Sequence, residues 1–158
     1  MDIREKLKKS LSYDPVTGII TWRCAIGRAK SGGIAGGVNI KGYLMVGFHG
    51  KKYLAHRLAW LLMTGDWPDG MIDHKNLNKL DNQFDNLRIA SPAQNRANQK
   101  AMGKLPKGVT LHRTGKYQAQ IMIGPKNRYL GLFAAPEEAH AAYVTVAFQY
   151  FGEFARAA

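Results

Sequence analysis

The chain has 158 residues, one cysteine and a net charge of +12 at pH 7. The single Cys24 excludes an intramolecular disulfide and a cysteine-rich zinc site, so ordinary packing must hold the fold. A folded chain this basic is expected to meet a polyanion, nucleic acid before an anionic membrane.

Taken in chain order, the opening "MDIREKLKKSLSYDP" is charged and lacks the apolar core of a secretory signal, so a cytoplasmic, non-secreted protein is expected. "YDPVTG" reads as a turn and "IITWR" as a short strand. "GYLMVGFHGKKYLAHR" reads as two strands joined at "HGKK". "AHRLAWLLMTG" predicts a helix with Leu58, Leu61 and Leu62 on one face and Gly65 just past its end. Its apolar run is far too short to span a bilayer, so no membrane partner is expected. "MIDH" reads as a strand end. "SPAQNRANQK" predicts a short helix capped by Ser91, with a proline in its first turn. "QKAMGKLPKG" has the composition of a linker.

The C-terminal part is distinct. "GVTLHRTGKYQAQIMI" predicts a hairpin turning at Arg113-Thr114-Gly115, "NRYLGLFA" a third strand, and "APEEAHAAYVTVAFQYFG" a helix. On that helix Ala139, Ala142, Tyr143, Val146 and Tyr150 are expected to face the sheet. Strand alternation puts Lys116, Gln118 and Gln120 on the opposite sheet face from Tyr117, Ala119 and Ile121. The fold class is therefore α+β. The expected division is a β-rich hairpin region over 1–50, a core over 51–100, a linker over 101–107 and a sheet-plus-helix domain over 108–158.

The charges are segregated. No acid occurs from Pro15 to Gly65 or from Asn86 to Pro136, so two basic stretches flank one acidic island. Acids repel phosphate and need a reason in a polyanion binder. For Asp66, Asp69, Asp81 and Asp85 turn and cap chemistry suffices. Asp73, beside His74, could instead hold a divalent cation while His74 acts as a base. Asn86 can hydrogen-bond across the loop, and Asn95, early in the next helix, can offer an amide oxygen. By spacing alone, an Asn-rich polar loop explains "IDHKNLNKLDNQFDNLR" as well as a catalytic site does. His56 reads as structural, His140 as a surface or packing residue, and the tryptophans Trp22, Trp60 and Trp67 as packing residues.

"IDHKNLNKLDNQFDNLR" followed by "ASPAQNRAN" resembles the HNH (ββα-metal) endonucleases, particularly those of phages and mobile introns, and "YLAHRLAW" looks like the helix leading into that motif. "GVTLHRTGKYQAQI", "YLGLFAAPEEAHAAY" and "FGEFA" resemble an AP2 DNA-binding domain. The resemblance implies a homing-type DNA endonuclease in which a ββα-metal motif precedes an AP2-like module. It implies His74 as general base, Asn86 as the residue that pins the loop and orients His74, and Asp73 and Asn95 as metal ligands. Many relatives have a histidine where Asn95 stands; an all-oxygen set favours Mg²⁺ or Mn²⁺ over Zn²⁺. It also implies double-stranded DNA as partner, contacted by Arg113, Lys116, Gln118, Gln120 and Arg128. Thr110, Leu111 and His112 depart from the arginine-rich first strand of plant AP2 domains. A monomer without protein partners, and so with one site for nicking, is the simpler expectation. The alternative is a non-catalytic DNA-binding protein that retains both folds.

Overall fold

The computed structural model describes residues 2–156 and is a mixed α/β chain of small sheets and helices. By compactness it divides between Ile89 and Ala90, whereas the sequence places the boundary at a linker over 101–107.

The first unit opens with an unexpected helix, α1 (Ile3–Ser10), where the sequence shows mostly charge. Asp2 caps it by accepting from the Arg4 amide, and Leu7 is fully buried. The i, i+4 pair Ile3 and Leu7 is the apolar face, hidden among lysines and arginine. The strands β1 (Leu11–Tyr13) and β2 (Ile20–Trp22) pair antiparallel around the turn at Asp14, whose carboxylate accepts from the Val16 amide and the Thr17 hydroxyl. A short β3 (Gly37–Val38) pairs with β4 (Leu44–Phe48), which pairs with β5 (Lys51–Leu54) in a three-stranded sheet. The β4–β5 turn puts His49 at φ 48° and Gly50 at φ 75°, the two positive values of a two-residue hairpin loop.

From β5 the chain enters α2 (Ala55–Thr64), which ends at Gly65 in the left-handed region with its amide donating to the Leu61 carbonyl. Leu58 and Leu61 are fully buried, as the periodicity requires, and Leu62 packs at the edge. They close a core with Leu7, Leu11, Ile20, Val46 and Phe48. Trp22 stacks on Phe48 and Trp67 on Tyr53, so both tryptophans pack within the protein as expected. The next strands, β6 (Met71–His74) and β7 (Leu87–Ala90), form a two-stranded sheet seated on α2 through Ile72, Leu87 and Ala59.

The second unit begins with α3 (Pro92–Asn98). Ser91 and Gln94 form a reciprocal capping box: the Ser91 side chain accepts from the Gln94 amide, and the Gln94 side chain accepts from the Ser91 amide. Three strands follow as an antiparallel meander, β8 (Val109–Leu111), β9 (Tyr117–Ile123) and β10 (Lys126–Phe133), with β9 central and a bulge in β10 between Tyr129 and Gly131. The helix α4 (Pro136–Phe151) covers one face. Ala139 and Tyr143 are buried as predicted, with Ala119 and Ile121 beneath them. Tyr150 differs: it is half exposed, and Ala147 takes the buried position. Gly108 adopts φ 79°, and a Cβ there would lie 2.0 Å from the Tyr143 ring, so this position accepts only glycine. No helix among the described residues is long and apolar enough to cross a membrane.

Candidate active site

The β6–β7 hairpin carries the central residues. Adjacent strand residues face opposite ways, and Asp73 and His74 accordingly take different partners, although both are buried, at 4% and 5% exposure. Asp73 Oδ2 accepts from Arg88 Nε at 2.9 Å across the hairpin, and Arg88 is itself buried. His74 lies against a ring cluster. Its centroid is 5.1 Å from that of His56, which meets it edge-on, and 6.2 Å from that of Tyr43.

One contact to a ring nitrogen of His74 comes from Asn82, whose Oδ1 is 3.3 Å from Nε2. Asn82 is 1% exposed. Its orientation is decided by its other end, because Nδ2 donates to the Leu80 carbonyl, which can only accept. Oδ1 must then face the ring, His74 Nε2 must carry the hydrogen, and the lone pair of the neutral imidazole falls on Nδ1. Burial pulls the His74 pKa below its ordinary value, against the opposing pull of the Asn82 contact and the Asp73 charge. The ring is therefore neutral at pH 7, the state a general base requires.

Asn86 acts on the loop rather than through a ring contact. Its Oδ1 accepts from the Asn76 amide at 3.0 Å, its Nδ2 donates to the Asp81 carbonyl at 2.8 Å, and its own carbonyl accepts from the Lys75 amide. The remaining polar residues are turn chemistry. Asn76 Nδ2 donates to Asp81 Oδ2, and the Asn78 and Leu80 amides donate to the side chains two residues before them. Asp66 pairs with Arg4, in keeping with a structural role.

Sequence-distant residues support this loop from outside. Tyr13 donates its hydroxyl to the Asn82 carbonyl at 2.7 Å, and the Phe84 amide donates to the Pro15 carbonyl at 3.0 Å. Gly18, at φ 74°, lets the Asp14 turn press on the loop; a Cβ there would sit 2.5 Å from the Gln83 nitrogen. Lys79 lies 4.7 Å over the Tyr43 ring and donates to the Lys41 carbonyl. None of Asn82, Arg88, Tyr43 or Tyr13 stands out in the sequence. Asn82 is one Asn among several in a polar run, and Arg88 looks like the solvated end of "DNLR". His56 is structural in its burial, with its pKa pushed down to about 4 chiefly by desolvation, yet it touches the ring of His74.

Among the described residues no group of three or more His, Cys, Asp or Glu could hold a metal ion. The oxygen donors of Asp73 and of the Asn side chains do not suit Zn²⁺. Oxygen donors of this kind would suit a hard divalent ion. An ion held by Asp73 would have to share that carboxylate with the Arg88 guanidinium. Asn95 lies in the second unit, near the start of α3, with its amide donating to the Ser91 carbonyl.

In the C-terminal sheet, Gln118 and Gln120 share the face away from α4 with Asn127, which stands opposite Met122. Gln120 Oε1 accepts from Gln118 Nε2 at 3.3 Å and from Asn127 Nδ2 at 2.8 Å. Arg113 and Lys116 are exposed at the β8–β9 turn. Arg128 is placed differently from the others. It pairs in register with the inward Ile121, donates to the Tyr150 hydroxyl and lies 5.6 Å over the Tyr150 ring, so it is tied to α4.

No solved structure matches the chain. An uncharacterized HNH endonuclease of Acanthamoeba polyphaga mimivirus is 34% identical over 107 residues, covering 67% of this chain and 57% of that relative. The chain thus spans little more than half the length of the relative. Residues 53–97 match the HNH endonuclease family, and that stretch contains Asp73, His74, Asn82, Asn86 and Arg88, the whole of the buried hairpin site.

Proposed function

We propose that the chain is a metal-dependent DNA endonuclease that hydrolyses phosphodiester bonds, selecting its site in the manner of homing enzymes. The observation that carries this reading is the His74 imidazole, buried beside Asp73 and held through Nε2 by Asn82. His74 Nδ1 takes the proton from the water that attacks phosphorus. Asn82 holds the ring through that transfer and, with Asn86 pinning the loop, keeps the base in one orientation. Asp73, fixed by Arg88, and Asn95 would hold Mg²⁺ or Mn²⁺. Bound there, such an ion supplies positive charge against the charge that develops on the phosphoryl group.

In the same reading the C-terminal sheet and α4 form an AP2-like module that holds double-stranded DNA. Gln118 and Gln120 are placed to meet base edges, and Arg113 and Lys116 to hold phosphates. Arg128, engaged by Tyr150, contributes charge rather than a base contact. The chain acts as a monomer and nicks one strand per encounter.

The Asp73–Arg88 pair favours a second reading, a DNA-binding protein in which a guanidinium has taken the place of the ion. One experiment separates the two. Supercoiled DNA and DNA carrying the coding locus are incubated with Mg²⁺ and with wild type or His74→Ala. Cutting by wild type and its loss in His74→Ala support the nuclease. DNA binding without any cutting by wild type supports the second reading, and equal cutting by His74→Ala removes His74 from the role of base.

A further inference from the structure

Residues 101–107 have the composition of a flexible tether, yet the structure anchors them. Lys107 Nζ donates to the carbonyls of Arg96 (3.1 Å), Ala97 and Gln99 (2.7 Å), at the C-terminal end of α3, where carbonyls run out of helical partners and the dipole favours a cation. The other side of the same residue is also held, because His140 Nδ1 donates to the Lys107 carbonyl at 2.8 Å. Gly108 follows, locked under Tyr143. The segment is thus fastened to α3 and to α4 by one lysine.

This fastening shapes an open groove of about 730 Å³ between the segment and β8. Leu105 and Val109 supply apolar wall, and Arg96, Lys100 and Lys104 are exposed cations along it. None of the described residues that line it is acidic. Lys107 is engaged by carbonyls, so the charge offered to a ligand is that of the other three. Thr110 lines the groove and stands in register with Gln118, so the groove runs on to the amide-bearing face of the sheet. A positive, open, non-enclosing channel continuous with that face suits a chain of phosphates rather than a small molecule.

The geometry points to a second DNA contact surface: the groove formed by Arg96, Lys100 and Lys104, pre-shaped by Lys107, binds the phosphate backbone of the duplex held by the sheet. This rests on the DNA-binding reading above and deepens it by naming a sequence-independent backbone site outside the sheet. Cations on an anchored segment lose less freedom on binding than cations on a loose linker.

The test is fluorescence anisotropy with a random-sequence duplex in EDTA, where no cutting intervenes, across a salt series. For R96Q/K100Q/K104Q the slope of log K against log[salt] is expected to shrink by about 0.9 for each phosphate left without its cation, roughly 2–3 in all. K104Q alone should shrink it by about 0.9. A control with the same charge change, K6Q/K8Q/K9Q on α1, should leave the slope within error. The three groove cations are exposed, so melting of the triple variant by circular dichroism should be unchanged. An unchanged slope in the triple variant, or an equal fall in the control, overturns the groove while leaving DNA binding by the sheet intact. Absence of duplex binding by wild type would instead remove the DNA reading itself, and the groove with it.

Discussion

Asn82→Ala isolates the hydrogen bond that fixes His74. The substitution removes Oδ1 from His74 Nε2 and Nδ2 from the Leu80 carbonyl, at a side chain 1% exposed. Leu80 is half exposed, so water can satisfy its carbonyl. The imidazole N–H cannot be satisfied so easily, and a buried donor left without its partner costs about 1–3 kcal/mol. The urea midpoint should fall accordingly. Cutting should fall by about a hundredfold, the scale of a misplaced reacting group. The decisive readout is the pH–rate profile. The Asn82 hydrogen bond raises the His74 pKa against burial, so its removal should move the acid limb to lower pH, while Asn82→Asp should move it to higher pH. If stability falls but the limb moves in neither variant, Asn82 supports the loop only, and the proposed tautomer is wrong.

His56 supplies a second test. Its folded pKa is depressed from 6.5 to about 4, so its contribution to stability is complete above pH 6.5 and lost as pH falls toward 4. At about 1.4 kcal/mol per unit this is about 3 kcal/mol, and His56→Phe should remove that part of the pH dependence of the urea midpoint. Arg88→Met strands the buried Asp73 carboxylate and should cost about 3–5 kcal/mol, largely recovered in D73N/R88M; no recovery would mean that the stranded charge is not the main cause of the destabilisation. Gly18→Ala forces a Cβ 2.5 Å from the Gln83 nitrogen at φ 74°, and should cost at least about 2 kcal/mol in thermal stability and depress cutting as well. Chelation should abolish cutting while anisotropy still reports DNA binding.

Elements with a strong period were legible before the structure. The α2 face of Leu58 and Leu61, the Ser91 N-cap and the β8–β10 meander all follow from local chemistry. The first helix was not, because its two apolar residues lie in a run of charge and its stability comes from docking Leu7 into the core. The adjacent Asp73 and His74 could be picked out because an acid in a basic chain needs a reason. Their partners could not. Asn82 gains its meaning from a loop path that no residue spacing predicts, and Arg88 from the pairing of β6 with β7. Arg128 shows another limit of spacing: register places it beside Tyr150, a partner that lies 22 residues away in the sequence.

The grip of the Asp14 turn on the Asn82 loop sets a limit on portability. The family match begins at residue 53, whereas Tyr13, Pro15 and Gly18 lie well upstream of it. A fragment cut to the matched stretch would keep every residue proposed for chemistry and lose the brace behind them. Grafted into another protein, the hairpin would need a substitute for that brace.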